Sequence, residues 1–405
     1  MLNTSFRLPC GAEIANRLVK AATTERLTAS DHLPNDPLVH LYSRWAETQA
    51  GILITGNFQI HPKHLESGGN VVADNEEVMP GLKRMARAGK RHGKHIWAQI
   101  NHAGRQTMRF VNSKPHSASN VQLKKLGLFA QPQPMNEADI EGVIAGFART
   151  AGYVKRAGFT GLQIHAAHGY LLSQFLSPIT NLREDRWGGT VENRARLLIE
   201  VVRAVRKEVG PGFPISVKLN SADFQRGGFS EDDSFAVVKM LENEGIDLLE
   251  ISGGTYEKLA FFLLNNEKDA AKLSTSSDRR EAYFIGFAER IRSTTKLPLM
   301  VTGGFRTRAF CEAALTEGSL DLIGMARPFI TNDEEISDFI AGKIERLEDH
   351  VLRTGIKAFD DSAEGGYYAR QIIRLAHDKQ PDTKLRPLWS ATFLLKHELG
   401  KALKK

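Results

Sequence analysis

The residues best suited to chemistry in this chain stand together in "GLQIHAAHGY": His165 and His168 three positions apart, with Tyr170 two further on. An imidazole can donate, accept or carry a proton near neutral pH, and a phenol is a weak acid. Such a trio could bind a metal, brace a polar stretch of core, or hold and protonate a bound molecule. A zinc site needs a third protein ligand, and the metalloprotease pattern places a glutamate between its histidines. The segment supplies neither, so no metal is assigned to it.

What positions these side chains is a repeated unit. The run Gly161–Ala166 has the length and apolar content of a buried strand, and similar runs recur along the chain. They are "RLVKAATT" (17–24), "GILITGN" (51–57), "HIWAQIN" (95–101), "GLQIHA" (161–166), "PISVKLN" (214–220), "DLLEIS" (247–252), "PLMVTGG" (298–304) and "LDLIGMA" (320–326). Helical patterns separate them. After the fourth run, Val191, Ala195, Leu198, Val202, Val205 and Val209 make one apolar stripe, with Thr190 as start signal and Gly210-Pro211 as stop. Ser230 opens the next helix, with three acidic residues in its first turn and Gly245 at its end.

Eight strand–helix units predict an α/β protein, a (β/α)₈ TIM barrel. A doubly wound open sheet would carry G-x-G-x-x-G after its first strand, and this chain does not. Residues 1–16 are expected to form an N-terminal hairpin under the barrel. Residues 103–135, following the third strand, are too long for a plain connection and are expected to form a lid over the site. The division predicted is a barrel over 1–345 and a helical extension over 346–405, packed on the barrel or on an oligomer partner.

In such a barrel, function sits at the C-terminal strand ends, and residues of one parity point inward. That parity selects Trp97, Gln99 and Asn101 in the third strand, Gln163 and His165 in the fourth, and Ser216, Lys218 and Asn220 in the fifth. Buried polar groups need polar partners, because an unpaired one costs several kcal/mol. Gly303 and Gly304 end the seventh strand, and Ala326 and Arg327 follow the eighth. These two loops are the usual phosphate grip of the fold: glycines let backbone N–H groups approach an anion, and an arginine adds fixed charge. A strand-end lysine such as Lys218 would also suit Schiff-base chemistry. Trp187-Gly188-Gly189 with Arg183, Asp185 and Arg186 reads as an ion-paired scaffold loop, and Arg194 as a structural residue at the solvated end of a helix.

Composition narrows the function classes. Net charge is +7, hydrophobic content 41% and charged content 25%, ordinary for a globular chain. The basic residues are dispersed, so no nucleic acid is expected as a partner. No apolar run approaches the ~18 residues of a membrane span, and the N-terminus lacks the pattern of a signal peptide. Two cysteines with no pairing logic suit a reducing, cytoplasmic compartment.

The segment "HAAHGYLLSQFLSPITNLREDRWGGTVENRARLLIEVVRAV", with "QINHAGRQ", "NRLVKAATTE" and "MARPFI" in order, resembles the Old Yellow Enzyme family over roughly residues 5–345. It looks most like the stand-alone flavin barrel of the branch that includes the dienoyl-CoA reductases. The resemblance implies tightly but non-covalently bound FMN, NADPH or NADH as hydride donor, and a small-molecule activated alkene (enone, enal or quinone-like) as substrate. It implies that Ala22, Thr23, Thr24 and Gly56 lie along the flavin, and that Gln99, Lys218 and His165 face its ring system. Gly303, Gly304, Ala326 and Arg327 would hold its phosphate. It further implies that His165 and His168 bind the substrate oxygen and that Tyr170 donates a proton. Relatives that act as isomerases or substrate oxidases make those the alternative activities. Family members often associate, so a homo-oligomer is admitted. Ala22, Thr23 and Ala326 depart from the Pro, Met and Gly common at their positions, and Asn101 replaces an aromatic found in some relatives, which implies a roomier pocket.

Overall fold

The computed structural model describes residues 1–125, 127–252, 286–350, 352 and 357–403. Eight parallel strands close on themselves: β1 (Leu18–Lys20), β2 (Ile52–Gln59), β3 (His95–Asn101), β4 (Gly161–Ala166), β5 (Ile215–Asn220), β6 (Leu248–Ser252), β7 (Leu299–Thr302) and β8 (Leu322–Met325). Closure is direct, since β1 pairs with both β8 and β2. The structure is the TIM barrel expected from the alternation, although the regular part of β1 is shorter than the run 17–24.

The barrel interior has two chemically distinct floors. The lower one is apolar: Val19, Ile52, Ile54, Trp97, Leu248, Met300 and Leu322 pack with Leu8 and Ile14. Leu8 and Ile14 arrive from an antiparallel hairpin, Phe6–Arg7 with Glu13–Ile14, which plugs the barrel bottom. The upper floor is polar. The parallel register sets Gln99 beside Gln163 and Gln163 beside Ser216, then Lys218 between His165 and Glu250, then Asn220 beside Ser252.

The helix Val191–Val209 shows why the outer layer forms. Ala195, Leu198, Val202, Val205 and Val209 are all buried. Each large apolar side chain removed from water contributes roughly 1.5–3 kcal/mol. The Thr190 hydroxyl accepts from Asn193 N–H at the start, worth about 1 kcal/mol, and Gly210, at φ 77°, ends the helix. Ser230 caps Glu231–Asn243 with a reciprocal bond to Asp233, and that helix stops at Asn243, just before Gly245.

Between β3 and the helix Glu137–Ala157 the described residues include a 3₁₀ turn (Gly104–Gln106), a short strand pair, His116–Ser117 with Gln133–Pro134, and an isolated bridge between Met108 and Phe129. Two further helices, Lys357–Ala376 and Pro387–Leu403, pack on each other and reach back to the barrel mouth. Glu398 of the second accepts from Arg26 Nε at 2.9 Å, Ser67 Oγ at 2.8 Å and Gly68 N at 3.1 Å. Among the described residues no helix is long and apolar enough to cross a membrane.

Candidate active site

A ladder of polar side chains crosses the upper floor. Gln99 Nε2 donates to Gln163 Oε1 at 2.6 Å. Gln163 Nε2 donates to Ser216 Oγ (3.1 Å) and to Glu250 Oε2 (2.7 Å). Glu250 Oε1 lies 2.8 Å from Lys218 Nζ, with both side chains almost fully buried. Glu250 therefore divides its oxygens between β4 and β5 and pairs with the lysine. It went unnoticed in the sequence, yet the parity that selected Lys218 in β5 selects Glu250 and Ser252 in β6.

His165 lies in register with Lys218, and His168 follows just past the strand end. His165 Nε2 and His168 Nδ1 face each other at 3.2 Å. The outer nitrogens have their own partners: His165 Nδ1 lies 3.3 Å from Asn101 Oδ1, and His168 Nε2 lies 2.7 Å from Ser252 Oγ. His168 leaves the strand in the left-handed region, φ 61°, followed by Gly169 at 77°. Such a bend is costly for a residue with a Cβ and persists where neighbours hold it. Asn220 Oδ1 does so by accepting the His168 N–H at 3.1 Å. The Tyr170 ring lies 4.8 Å from that of His165, and Tyr170 itself is buried. Burial, then the His168 ring and the Lys218 charge, hold His165 well below the ordinary histidine range; burial and Lys218 do the same for His168. Both rings are neutral at pH 7.

Ala22, His168, Lys218, Gly303, Gly304, Ala326 and Arg327 line a cavity of ≈ 170 Å³ at the mouth, with Ser252, Thr302 and Arg306. The other expected site residues are outside this lining. Gly56 sits at a bulge in β2, where Thr55 Oγ1 takes the Gln99 N–H at 3.1 Å. A Cβ on Gly56 would fall 2.1 Å from Glu25 Oε2 and 2.5 Å from the Thr23 carbonyl, so only glycine fits against that loop. Thr23 Oγ1 accepts from the buried Lys20 Nζ at 3.1 Å, and Lys20 also donates to the Ala21 and Ile54 carbonyls. The Thr24 hydroxyl is committed elsewhere, to both oxygens of Glu66 at 2.9 Å.

Arg327 is less simple than its motif. It pairs with Glu364 and stacks over Tyr368 at 5.5 Å, both from the helix Lys357–Ala376. A second guanidinium, Arg306, joins it in the lining; it donates to the Phe305 carbonyl at 2.8 Å and lies 3.4 Å from Asp349. Arg306 directly follows "TGGF", and reading one residue further would have found it. Arg194 is not at a solvated helix end: it is buried and donates to the Gly189 and Leu176 carbonyls and to Asp233. The scaffold loop is ion-paired through Arg183–Asp185 and Arg186–Glu137.

The lining chemistry suits a phosphate-bearing cofactor. Gly303 and Gly304, at φ 117° and 87°, let the backbone run close to a ligand beside two guanidiniums. A Cβ on Gly324 would strike Thr302 Oγ1 at 2.0 Å. Thr302 Oγ1 and Asn101 Nδ2 are buried and lack a hydrogen-bond partner among the described residues, as expected of groups that await one.

Comparison with known proteins identifies the cofactor class. The NADH:flavin oxidoreductase / NADH oxidase family matches residues 10–341. The chain is 38% identical over 345 residues to the NADH-dependent flavin oxidoreductase nadA of Aspergillus parasiticus, covering 81% of this chain and 76% of that protein. It is 35% identical to the NADH-dependent flavin oxidoreductase iliE of Hypocrea jecorina, covering 80% and 85%. Among solved structures, 2-naphthoyl-CoA reductase aligns with TM-score 0.76 at 25% identity, over 84% of this chain and 52% of that one. The old yellow enzyme homologue of Zymomonas mobilis aligns with TM-score 0.72 at 24% identity, over 86% and 94%, and shows the same fold. The chain belongs to the NADH:flavin oxidoreductase / NADH oxidase family, the Old Yellow Enzyme family, and is an oxidoreductase that works with FMN and a reduced nicotinamide nucleotide.

Proposed function

We propose that this enzyme reduces the C=C bond of an activated alkene, with His165 and His168 gripping the oxygen of the activating group and Tyr170 supplying the proton. The observation that carries this is the convergence of His165 Nε2 and His168 Nδ1, 3.2 Å apart, beside the Tyr170 ring. Ser252 can donate to His168 Nε2, which leaves the proton of that ring on Nδ1. At His165 the orientation of Asn101 decides, and an amide's oxygen and nitrogen are distinguished only by their partners. Turned over, Asn101 donates from its otherwise unpartnered Nδ2 to His165 Nδ1, and His165 carries its proton on Nε2. With a substrate oxygen seated between the rings, both neutral N–H groups turn to it and stabilise the negative charge it gains, as an oxyanion hole does; without it, His168 Nδ1 donates to His165 Nε2 across the 3.2 Å gap.

FMN, when bound, carries hydride from the nicotinamide to the β-carbon. Gln99 and Lys218 would hold its ring system, and Gly303, Gly304, Ala326 and Arg327, joined by Arg306, its phosphate. Ala22, Thr23, Thr24 and Gly56 would form the wall along it. Lys218, kept in place by Glu250, favours negative charge beside it. The histidine pair lowers the cost of the enolate that develops on the substrate, and Tyr170 protonates the α-carbon.

Anaerobic stopped-flow measurement separates the two halves. Tyr170→Phe should slow the return of flavin absorbance with cyclohexenone by ~10²-fold or more, the usual worth of a positioned acid, while reduction by NADH or NADPH keeps its rate. Equal slowing of both halves removes the proton-donor role. Enzyme that is reduced by the nicotinamide but never reoxidised by an enone removes the alkene reading.

A further inference from the structure

A second cavity, ≈ 450 Å³ in volume, shares no lining residue with the flavin cleft and is formed by the loop after β2, the segment after β3 and the helix Glu137–Ala157. Histidines dominate it. The His64 ring stacks on His102 at 4.2 Å and lies 5.1 Å from His116 and 5.3 Å from His61. Around them stand Lys63, Lys114 and Arg149, against one lining carboxylate, Asp139, which lies 3.9 Å from His116.

His64 is 6% exposed, and its Nδ1 has no hydrogen-bond partner among the described residues. A buried polar atom without a partner costs about 1–3 kcal/mol, which a turn of the ring toward a ligand in the cavity would recover. A metal ion is a poor candidate: among the described residues no group of three or more His, Cys, Asp or Glu side chains is arranged to hold one. Three fixed cations in the lining also repel a positive charge. An oxyanion answers all of these features, because ammonium, guanidinium and imidazole N–H groups are its usual donors.

We propose that this histidine-lined cavity is a binding site for a phosphate-type oxyanion, separate from the site that holds the FMN phosphate. Burial, followed by the neighbouring His61, His116 and Lys63, holds His64 down to about 3. His64 is therefore uncharged and the rim is positive when the site is empty, and an anion relieves the mutual repulsion of the cationic groups. The chemistry admits two sources, a free phosphate or diphosphate and a phosphate carried by the nicotinamide nucleotide. The backbone ties the site to the catalytic segment: His102 directly follows Asn101, and its carbonyl accepts the N–H of Leu171, the neighbour of Tyr170, at 3.0 Å.

The test uses FMN-loaded enzyme, so that the flavin phosphate site is filled. Pyrophosphate is titrated by calorimetry and by the shifts of the histidine ring signals in NMR. Saturable binding that moves histidine signals and weakens at least tenfold in Lys63→Gln/Lys114→Gln supports the site. Both lysines are exposed, and far-UV circular dichroism with flavin absorbance checks that the variant is folded and loaded. In a second arm, KM for NADPH is compared between parent and variant. A KM rise matching the loss of pyrophosphate affinity assigns the phosphate to the nucleotide, and an unchanged KM assigns the site to a free anion. No saturable binding to the loaded parent enzyme, or equal binding by the variant, overturns the proposal.

Discussion

The ion pair beneath the flavin cleft offers the sharpest test of how this barrel is built. Glu250→Gln preserves shape and the bond to Gln163, but strips the charge that faces Lys218 at 2.8 Å. The two side chains are 5% and 0% exposed, so water compensates only poorly for the lost partner. Removing one member of such a buried pair typically costs about 3–5 kcal/mol, because the remaining charge is left uncompensated. Removing both with shape kept should cost far less. Equilibrium urea unfolding of the apoprotein, followed by tryptophan fluorescence, should thus show Glu250→Gln destabilised by ~3 kcal/mol or more. Lys218→Met/Glu250→Gln should recover most of that loss, giving a coupling energy well above the 0.5 kcal/mol scale of independent sites. A single variant within 1 kcal/mol of the parent, or a double variant as unstable as the two singles summed, would refute the claim that Glu250 exists to hold Lys218 (~1 kcal/mol is the mean effect of any substitution).

Three further outcomes are expected. Arg327→Ala should raise the Kd for FMN by tenfold or more, Arg306→Ala should do so less, and Glu364→Gln should have a small effect; fluorescence titration of apoprotein with FMN measures all three, and an unchanged Kd in Arg327→Ala would place the phosphate elsewhere. Burial, partly offset by Glu25, lowers Lys20 to about 8. The unfolded chain therefore binds more protons between pH 8 and 10.5, and this residue's contribution to stability rises with pH across that window, by about 3 kcal/mol in full; the parent-minus-Lys20→Met stability difference should show the rise in urea melts at pH 7.5 and 9.5, and a flat difference would contradict it. Gly56→Ala should cost at least the upper end of the ~1–3 kcal/mol typical of overpacking, since its methyl would meet Glu25 and the Thr23 carbonyl; a variant with parent-like melting would show that the β2 bulge is looser than described.

Much of the fold was legible because it rests on local patterns. Strand-length apolar runs, capped amphipathic helices and alternating parity are properties of consecutive residues, and they predicted eight units, the inward set Gln99, Gln163, His165, Lys218 and the glycine-rich mouth. His165, His168 and Tyr170 were legible for the same reason, since one strand end and one bend carry all three. What the sequence could not decide is which side chains meet across strands far apart in the chain. The Lys218–Glu250 pair needs the lateral register of β5 on β6, and the Ser252 contact to His168 Nε2 needs a residue 84 positions away. The capture of Arg327 by Glu364 depends on where the helix Lys357–Ala376 docks, and the burial of Arg194 on a loop folding back over it. The four-histidine cavity draws its walls from the β2 loop, the end of β3, the segment before Glu137–Ala157 and that helix. Periodicity selects which face of an element is buried; only packing the elements together decides which partner each buried polar atom finds.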